Sequence, residues 1–232
     1  MKKRLIAVVA LLVLILAGAM VWYLYGNKKA AQKTVPDTTQ QNSAIPPSTP
    51  QPQVPMAATL YYPVTNFANR ITVRSFGQLV KITDVVSPCG APFSGYHDAD
   101  DLEVTPSEVG VDVPVYAIAD GTVREIGPIS GYGGLLVLGV TIKSQNYTVY
   151  YGHINLGSTT LVVGDSVKAG QKLATLGAQC SVQTSGERKH LHFAMHIGTT
   201  IDVRGYVPTL GELSSWIDPK AFLATNSASN IE

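Results

Sequence analysis

Charge is scarce in this chain. Asp, Glu, Lys and Arg make up 14% of its 232 residues, and the net charge is +1. No basic excess exists to neutralise a phosphate backbone, so no nucleic-acid partner is expected. Cysteine is scarcer still. Cys89 and Cys180 are the only two, which limits the chain to one disulfide. No EF-hand spacing is present, which removes that route to calcium. No helical stripe of useful length appears outside Leu210 to Ala224. What the chain has instead is 21 Gly and 14 Pro, and these punctuate short apolar runs.

One long apolar run does exist. Lys2-Lys3-Arg4 precedes uncharged residues from Leu5 to about Gly26. That is long enough for a helix to cross the ~30 Å hydrocarbon layer, with Trp22, Tyr23 and Tyr25 at its far end. Residues 1–26 are therefore read as a transmembrane anchor. A signal peptide cleaved near Ala17-Gly18-Ala19 is the alternative. On the anchor reading the cytoplasmic membrane is a partner. The protein is then a single-pass membrane protein whose main domain lies outside the cytoplasm. Residues 27–58 are rich in Pro, Gln and Thr and cannot form a core, so they read as a disordered tether.

From residue 59 onward the pattern is that of strands. Ile71 to Phe76 alternates apolar and polar residues. Leu135 to Ile142 is a continuous apolar run, followed by Gln145-Asn146 as a hairpin turn and Tyr147 to Tyr151 as the return. Leu173 to Gly177 and Leu191 to Ile197 add further strands. Short strands separated by glycine turns predict an all-β domain over 59–232, an antiparallel sandwich or partly open barrel.

Histidine carries the chemistry. His97 and Asp101 form H-x-x-x-D, His190 and His192 form H-x-H, and His153 lies between them. Four of the chain's five histidines and a carboxylate can make a zinc site with one coordination position open. On a strand, alternation puts His190 and His192 on one face, with Leu191 and Phe193 facing the core. His196 shares that parity but lies farther along, and reads as a rim residue. Asp98 and Asp100 are expected to face solvent. Cys89 and Cys180 each lie shortly before one of these motifs, so a Cys89–Cys180 bridge would tie the two loops, with a pair of buried free thiols as the alternative.

The set His97, Asp101, His153, His190 and His192 resembles the M23 family of peptidoglycan endopeptidases, the lysostaphin and LytM type. The resemblance runs from about Val85 to Leu223. It includes Val115 to Val123, Gly131-Tyr132-Gly133, Tyr150-Tyr151-Gly152-His153, the Gly170 turn, His190-Leu191-His192-Phe193 and Asp218 to Leu223. It implies a peptidase core over 85–223. It also implies Zn²⁺ held by His97, Asp101 and His192, with His153 and His190 as catalytic residues beside it. The implied activity is zinc-dependent hydrolysis of peptide cross-links in cell-wall peptidoglycan. Many relatives lose ligands and only bind wall or activate other hydrolases, and a non-catalytic module of that kind is the alternative. Three departures stand out. Ala99 occupies a position where the family usually has glycine, which would shift the ligand loop. Glu103 to Val113 is longer than usual and predicts an extra loop near the site. Thr199 to Ile217 is a second long segment, placed after the H-x-H strand.

Overall fold

The computed structural model describes residues 59–70 and 72–231. Thirteen short strands follow one another. They are β1 (Leu79–Val80), β2 (Gly95–His97), β3 (Ala99–Glu103), β4 (Pro114–Tyr116), β5 (Gly121–Ile129), β6 (Gly133–Ile142) and β7 (Gln145–Gly152). Then come β8 (Ile154–Asn155), β9 (Ser166–Val167), β10 (Lys172–Leu176), β11 (His190–Ile197), β12 (Tyr206–Val207) and β13 (Trp216–Ile217). Two short helices, Leu210–Leu213 and Pro219–Thr225, occupy the stretch flagged for helical periodicity, the second running one residue past its end.

All pairings between strands are antiparallel. The main sheet has seven strands in the order β13-β11-β7-β6-β5-β9, with β3 also on β11. A three-stranded sheet, β4-β10-β8, and a second, β1-β2-β12, complete the set. The centre of the main sheet is covered on both sides. Leu136, Leu138, Val149, Tyr151, Leu191 and Phe193 pack with Val115, Leu173 and Leu176 of the β4-β10-β8 sheet. The alternate residues Leu135, Val137, Tyr150 and Ala194 pack with Val207, Leu213 and Trp216 on the opposite face. A strand buried on both faces needs no polar alternation, which is why β6 is a continuous apolar run.

Several expectations require correction. The sheet does not close. Its path ends at β9 on one side and at β13 and β3 on the other, so the fold is a sandwich and the partly open barrel is set aside. Among the described residues, no helix is long and apolar enough to cross a membrane. The expected transmembrane helix falls on 1–26, which together with the tether at 27–58 lies outside the described residues. The membrane partner and the single-pass localisation are corrected with it, since no spanning helix among the described residues supports them.

Two local readings also change. The β6–β7 turn is Lys143-Ser144, both at positive φ (50° and 66°), the geometry that matches strand twist in a two-residue hairpin. Gln145 and Asn146 are already paired with Ile142 and Thr141. Residue 71 lies outside the described residues, and 72–76 forms a single bridge at Thr72 and no strand. Its alternation runs opposite to expectation. Arg70 and Arg74 point inward, with 6% and 4% of their surface exposed, and Val73 points outward.

Candidate metal centre

Strand register brings the histidines together. His192 sits on β11 with Asp101 of β3 directly opposite on one side and Gly152 of β7 opposite on the other. His97 ends β2, and the chain bends at Asp98 before β3 begins, so His97 and Asp101 reach one point from two strands. His153 follows Gly152 at the β7–β8 junction, with φ +61°, a strained setting for a residue with a side chain. Gly152 must be glycine: a Cβ there would stand 2.7 Å from the Tyr132 ring and 3.1 Å from His192 Cβ.

Three polar atoms converge. His97 Nε2 lies 3.3 Å from His192 Nδ1 and 3.4 Å from Asp101 Oδ1. His192 Nδ1 lies 3.2 Å from the same oxygen. A tetrahedral ion with ligands at ~2.0–2.1 Å has edges of about 3.3–3.4 Å, so the three atoms already stand at ligand spacing. All three residues are buried, and the donor set of two imidazoles and a carboxylate suits zinc. Asp101 Oδ2 is occupied separately, accepting from Arg188 at 2.8 Å.

His153 and His190 are held differently. His153 Nδ1 lies 2.9 Å from the Tyr132 carbonyl, and His190 Nδ1 lies 2.9 Å from the Arg188 carbonyl. A carbonyl only accepts, so each Nδ1 carries the proton and each Nε2 is bare in the neutral ring. The two rings are 4.4 Å apart between centroids. His190 Nε2 stands 3.4 Å from Asp101 Oδ1, which puts the pair beside the triad. Together with Tyr132, Arg74, Arg188 and Tyr206 these histidines line a cleft of ≈ 150 Å³.

Electrostatics favours a cation at the triad. Burial would raise the Asp101 carboxyl, but the imidazoles of His190 and His97 outweigh it and hold Asp101 well below the ordinary carboxylate range. Burial works against a charged His192, yet the neighbouring carboxylates of Asp101 and Asp98 raise that imidazole to about 9. His153 moves the other way: burial, reinforced by His190 and His192, presses it well below its usual value. It therefore stays neutral at physiological pH.

Asp98, Asp100 and His196 do not face solvent. Asp98 is fully buried, and neither carboxylate oxygen has a hydrogen-bond partner within 3.5 Å that meets donor geometry. Its Oδ1 stands 3.4 Å from His192 Nε2, behind the ring. Asp100 accepts from the backbone of Phe76 and Lys220. His196 packs edge-on against Trp216 at 4.8 Å. Ala99, in the family's glycine position, pairs with Ala194 in extended β3 and is fully buried, so its Cβ fits without a displaced loop. Cys89 and Cys180 are joined by a disulfide, with Cα atoms 5.4 Å apart. It links the loop before β2 to the loop before β11.

The residues that sequence reasoning missed are Arg188, Tyr132, Arg74 and Tyr206. Arg188 shares the parity of His190 and His192, which is a usable signal. Arg74 and Tyr206 reach the cleft only through tertiary pairing and leave no local trace.

Residues 96–203 match the model of Peptidase family M23. The uncharacterized lipoprotein YgeR of Escherichia coli (strain K12) is 35% identical over 112 residues, covering 44% of this chain and 40% of that protein. The chain thus spans about 40% of the curated relative it matches. Among solved structures, a zinc containing peptidase from Vibrio cholerae is 25% identical, covers 60% of this chain and 37% of its own, and has a TM-score of 0.42. The antimicrobial peptidase lysostaphin from Staphylococcus simulans is 23% identical over 67% of this chain and 55% of its own, with a TM-score of 0.41. The span that matches Peptidase family M23 thus contains His97, Asp101 and His192, the three side chains placed to hold a metal ion.

Proposed function

We propose that this chain is a zinc-dependent endopeptidase that hydrolyses peptide cross-links in cell-wall peptidoglycan, with its peptidase core at 85–223 of a domain spanning 59–232. The observation that carries the reading is the spacing of the triad atoms, 3.2–3.4 Å apart, beside two imidazoles whose Nε2 atoms are bare. His97 Nε2, Asp101 Oδ1 and His192 Nδ1 are the atoms that would hold zinc. Zinc, when bound, acidifies a water and polarises the scissile carbonyl.

The protein's own groups do the rest. Arg188 takes Asp101 Oδ2, which leaves Oδ1 for the triad. His153 and His190 present Nε2 to the cleft because their Nδ1 protons are committed to carbonyls. A neutral Nε2 accepts a proton from the attacking water. The imidazolium so formed stabilises negative charge developing on the carbonyl oxygen and returns the proton to the leaving amine.

The test is turnover on purified peptidoglycan, with metal content measured on the same sample. About one zinc per chain, new amino termini in the digest and loss of both after chelation are expected. A chain that binds zinc and releases no peptide from any wall preparation is the non-catalytic module instead.

A further inference from the structure

Segments on either side of the family-matched span 96–203 meet at the cleft. Arg74 comes from the N-terminal side and Tyr206 from the C-terminal side. Arg74 is 4% exposed yet lines the cleft. Its guanidinium donates to the Tyr206 hydroxyl oxygen at 2.6 Å and to the Asp84 carbonyl at 2.8 Å, both neutral acceptors. Among the described residues, no carboxylate lies within 4.0 Å of it.

The comparable arginines are all paired. Arg70, equally buried, holds Glu108. Arg188 in the cleft holds Asp101, Glu103 and Glu187. Arg204 at the rim holds Asp202 and Glu212. A buried cation without a counter-ion is unfavourable, and the energy is recovered when an anion arrives. Arg has five N–H donors in a planar fork that fits a carboxylate, and only two bonds are formed here.

Tyr206 completes the geometry. It lies opposite His97 in the β2–β12 register, with ring centroids 4.9 Å apart. It is stacked on Phe93 at 5.3 Å, which fixes the ring. Because its oxygen accepts from Arg74, its own O–H is free to donate elsewhere. We propose that Arg74 and Tyr206 form a carboxylate subsite in the cleft wall, so that the preferred substrate is a peptide carrying a free carboxylate close to the scissile bond. The assignment rests on the endopeptidase reading above and adds the chemical class of substrate to it.

Pairs of synthetic cross-link peptides test it. Each pair shares one sequence and differs at one carboxyl, free or as the carboxamide, on either side of the cleaved bond. The zinc-loaded full chain should cut one free-carboxylate peptide with a KM about 30–100-fold below that of its carboxamide twin, at similar kcat. Arg74→Gln should raise KM on the carboxylate peptide until the pair agrees within about threefold, with zinc content as in the wild type. Arg74→Lys should restore part of the preference, since it keeps the charge and loses the fork. Tyr206→Phe preserves the ring stack and should narrow the preference by about 5–10-fold, which keeps the test decisive if Arg74→Gln fails to fold. Equal KM values for every pair in the wild type overturn the subsite. So does an Arg74→Gln protein that loses equally on both members, because Arg74 is then only a prop for Tyr206. If the wild type cuts neither member of any pair, the endopeptidase reading fails on its own. Calorimetric titration of the same peptides into the zinc-loaded protein then decides the subsite: tighter binding of a carboxylate peptide sustains it, and equal or absent binding ends it.

Discussion

The cleft has two histidine walls built from one residue type, and they are wired in opposite senses. On one wall, His97 and His192 turn ring nitrogens towards each other and towards Asp101 Oδ1, at 3.2–3.4 Å. On the other, His153 and His190 commit Nδ1 to main-chain carbonyls, and His190 still turns Nε2 to within 3.4 Å of Asp101 Oδ1. The difference lies in the partner atoms. A carbonyl fixes a neutral tautomer with a basic nitrogen facing the cleft. A shared carboxylate oxygen gathers nitrogens around a point where a cation fits. Extended β2, β3 and β11 supply the triad and His190, and the positive-φ junction after Gly152 turns His153 to the site from β7.

The largest effect should come from breaking the shared oxygen. Asp101→Ala removes the acceptor common to His97 and His192 and leaves Arg188 facing a gap. Zinc should be lost on dialysis and turnover should fall by on the order of 10³-fold or more. Metal analysis and wall-peptide hydrolysis on one preparation check this, and retained zinc would mean the converging atoms are not the ligands. The opposite wall separates the two properties. His153→Ala and His190→Ala should each keep zinc near one per chain and lose about 10²–10⁴ in turnover, the scale of a lost acid–base or oxyanion partner. Zinc loss in either variant would erase the distinction between the walls.

Both walls are visible in the sequence as motifs because strand alternation puts His190 and His192 on one face, and H-x-x-x-D spans a single bend. Strands β6, β7, β10 and β11 are visible for a different reason, as apolar runs bounded by turn residues. Pairing is not periodic, so an open sandwich and a barrel look alike until register is known. Arg70 and Arg74 defeat the pattern from the other direction, since their burial depends on Glu108 and Tyr206, 38 and 132 residues away. Asp98 is hidden by its bend. Asp98 and Asp100 read as solvated neighbours of the ligand Asp101, yet Asp98, at the break between β2 and β3, is buried behind His192. The two long segments looked equivalent in sequence. Only 199–217 reaches the cleft, through Arg204, Gly205 and Tyr206, while the other is held away from it by Arg70.

Asp98 allows the triad wall to be adjusted without being dismantled. Its Oδ1 backs His192 Nε2 at 3.4 Å, the arrangement in which a carboxylate orients a ligand imidazole and raises its basicity. Asp98→Asn keeps the shape and weakens the acceptor. Zinc affinity measured by competition with a chelating dye should drop by about 10–100-fold, with one zinc still bound at saturation. Unchanged affinity would reduce Asp98 to a buried charge without influence on the site.

The smallest effect lies outside both walls and serves as their contrast. Arg70 donates two 2.8 Å bonds to Glu108, which also closes a capping box with Thr105 and pins the 103–113 segment. The Arg70 hydrogen bonds, opposed by partial burial and helped by the Thr105 backbone, lower the Glu108 carboxyl from 4.5 to about 2. A carboxylate depressed on folding stabilises the native state fully above its unfolded value. That contribution is lost as pH falls from about 4.5 through about 2. The shift corresponds to about 3 kcal/mol, and solvent screening of this partly exposed pair reduces it to on the order of 1–2 kcal/mol. Glu108→Gln should therefore lower stability in denaturant titrations at pH 7 by about that amount, and the gap from wild type should close as pH drops towards 2. Zinc stoichiometry and peptide turnover at pH 7 should match the wild type, since no residue between 104 and 113 lines the cleft. A Glu108→Gln protein that lost zinc or turnover would show that the pinned segment supports the triad wall through β3, and the separation drawn between scaffold and site would have to be redrawn there.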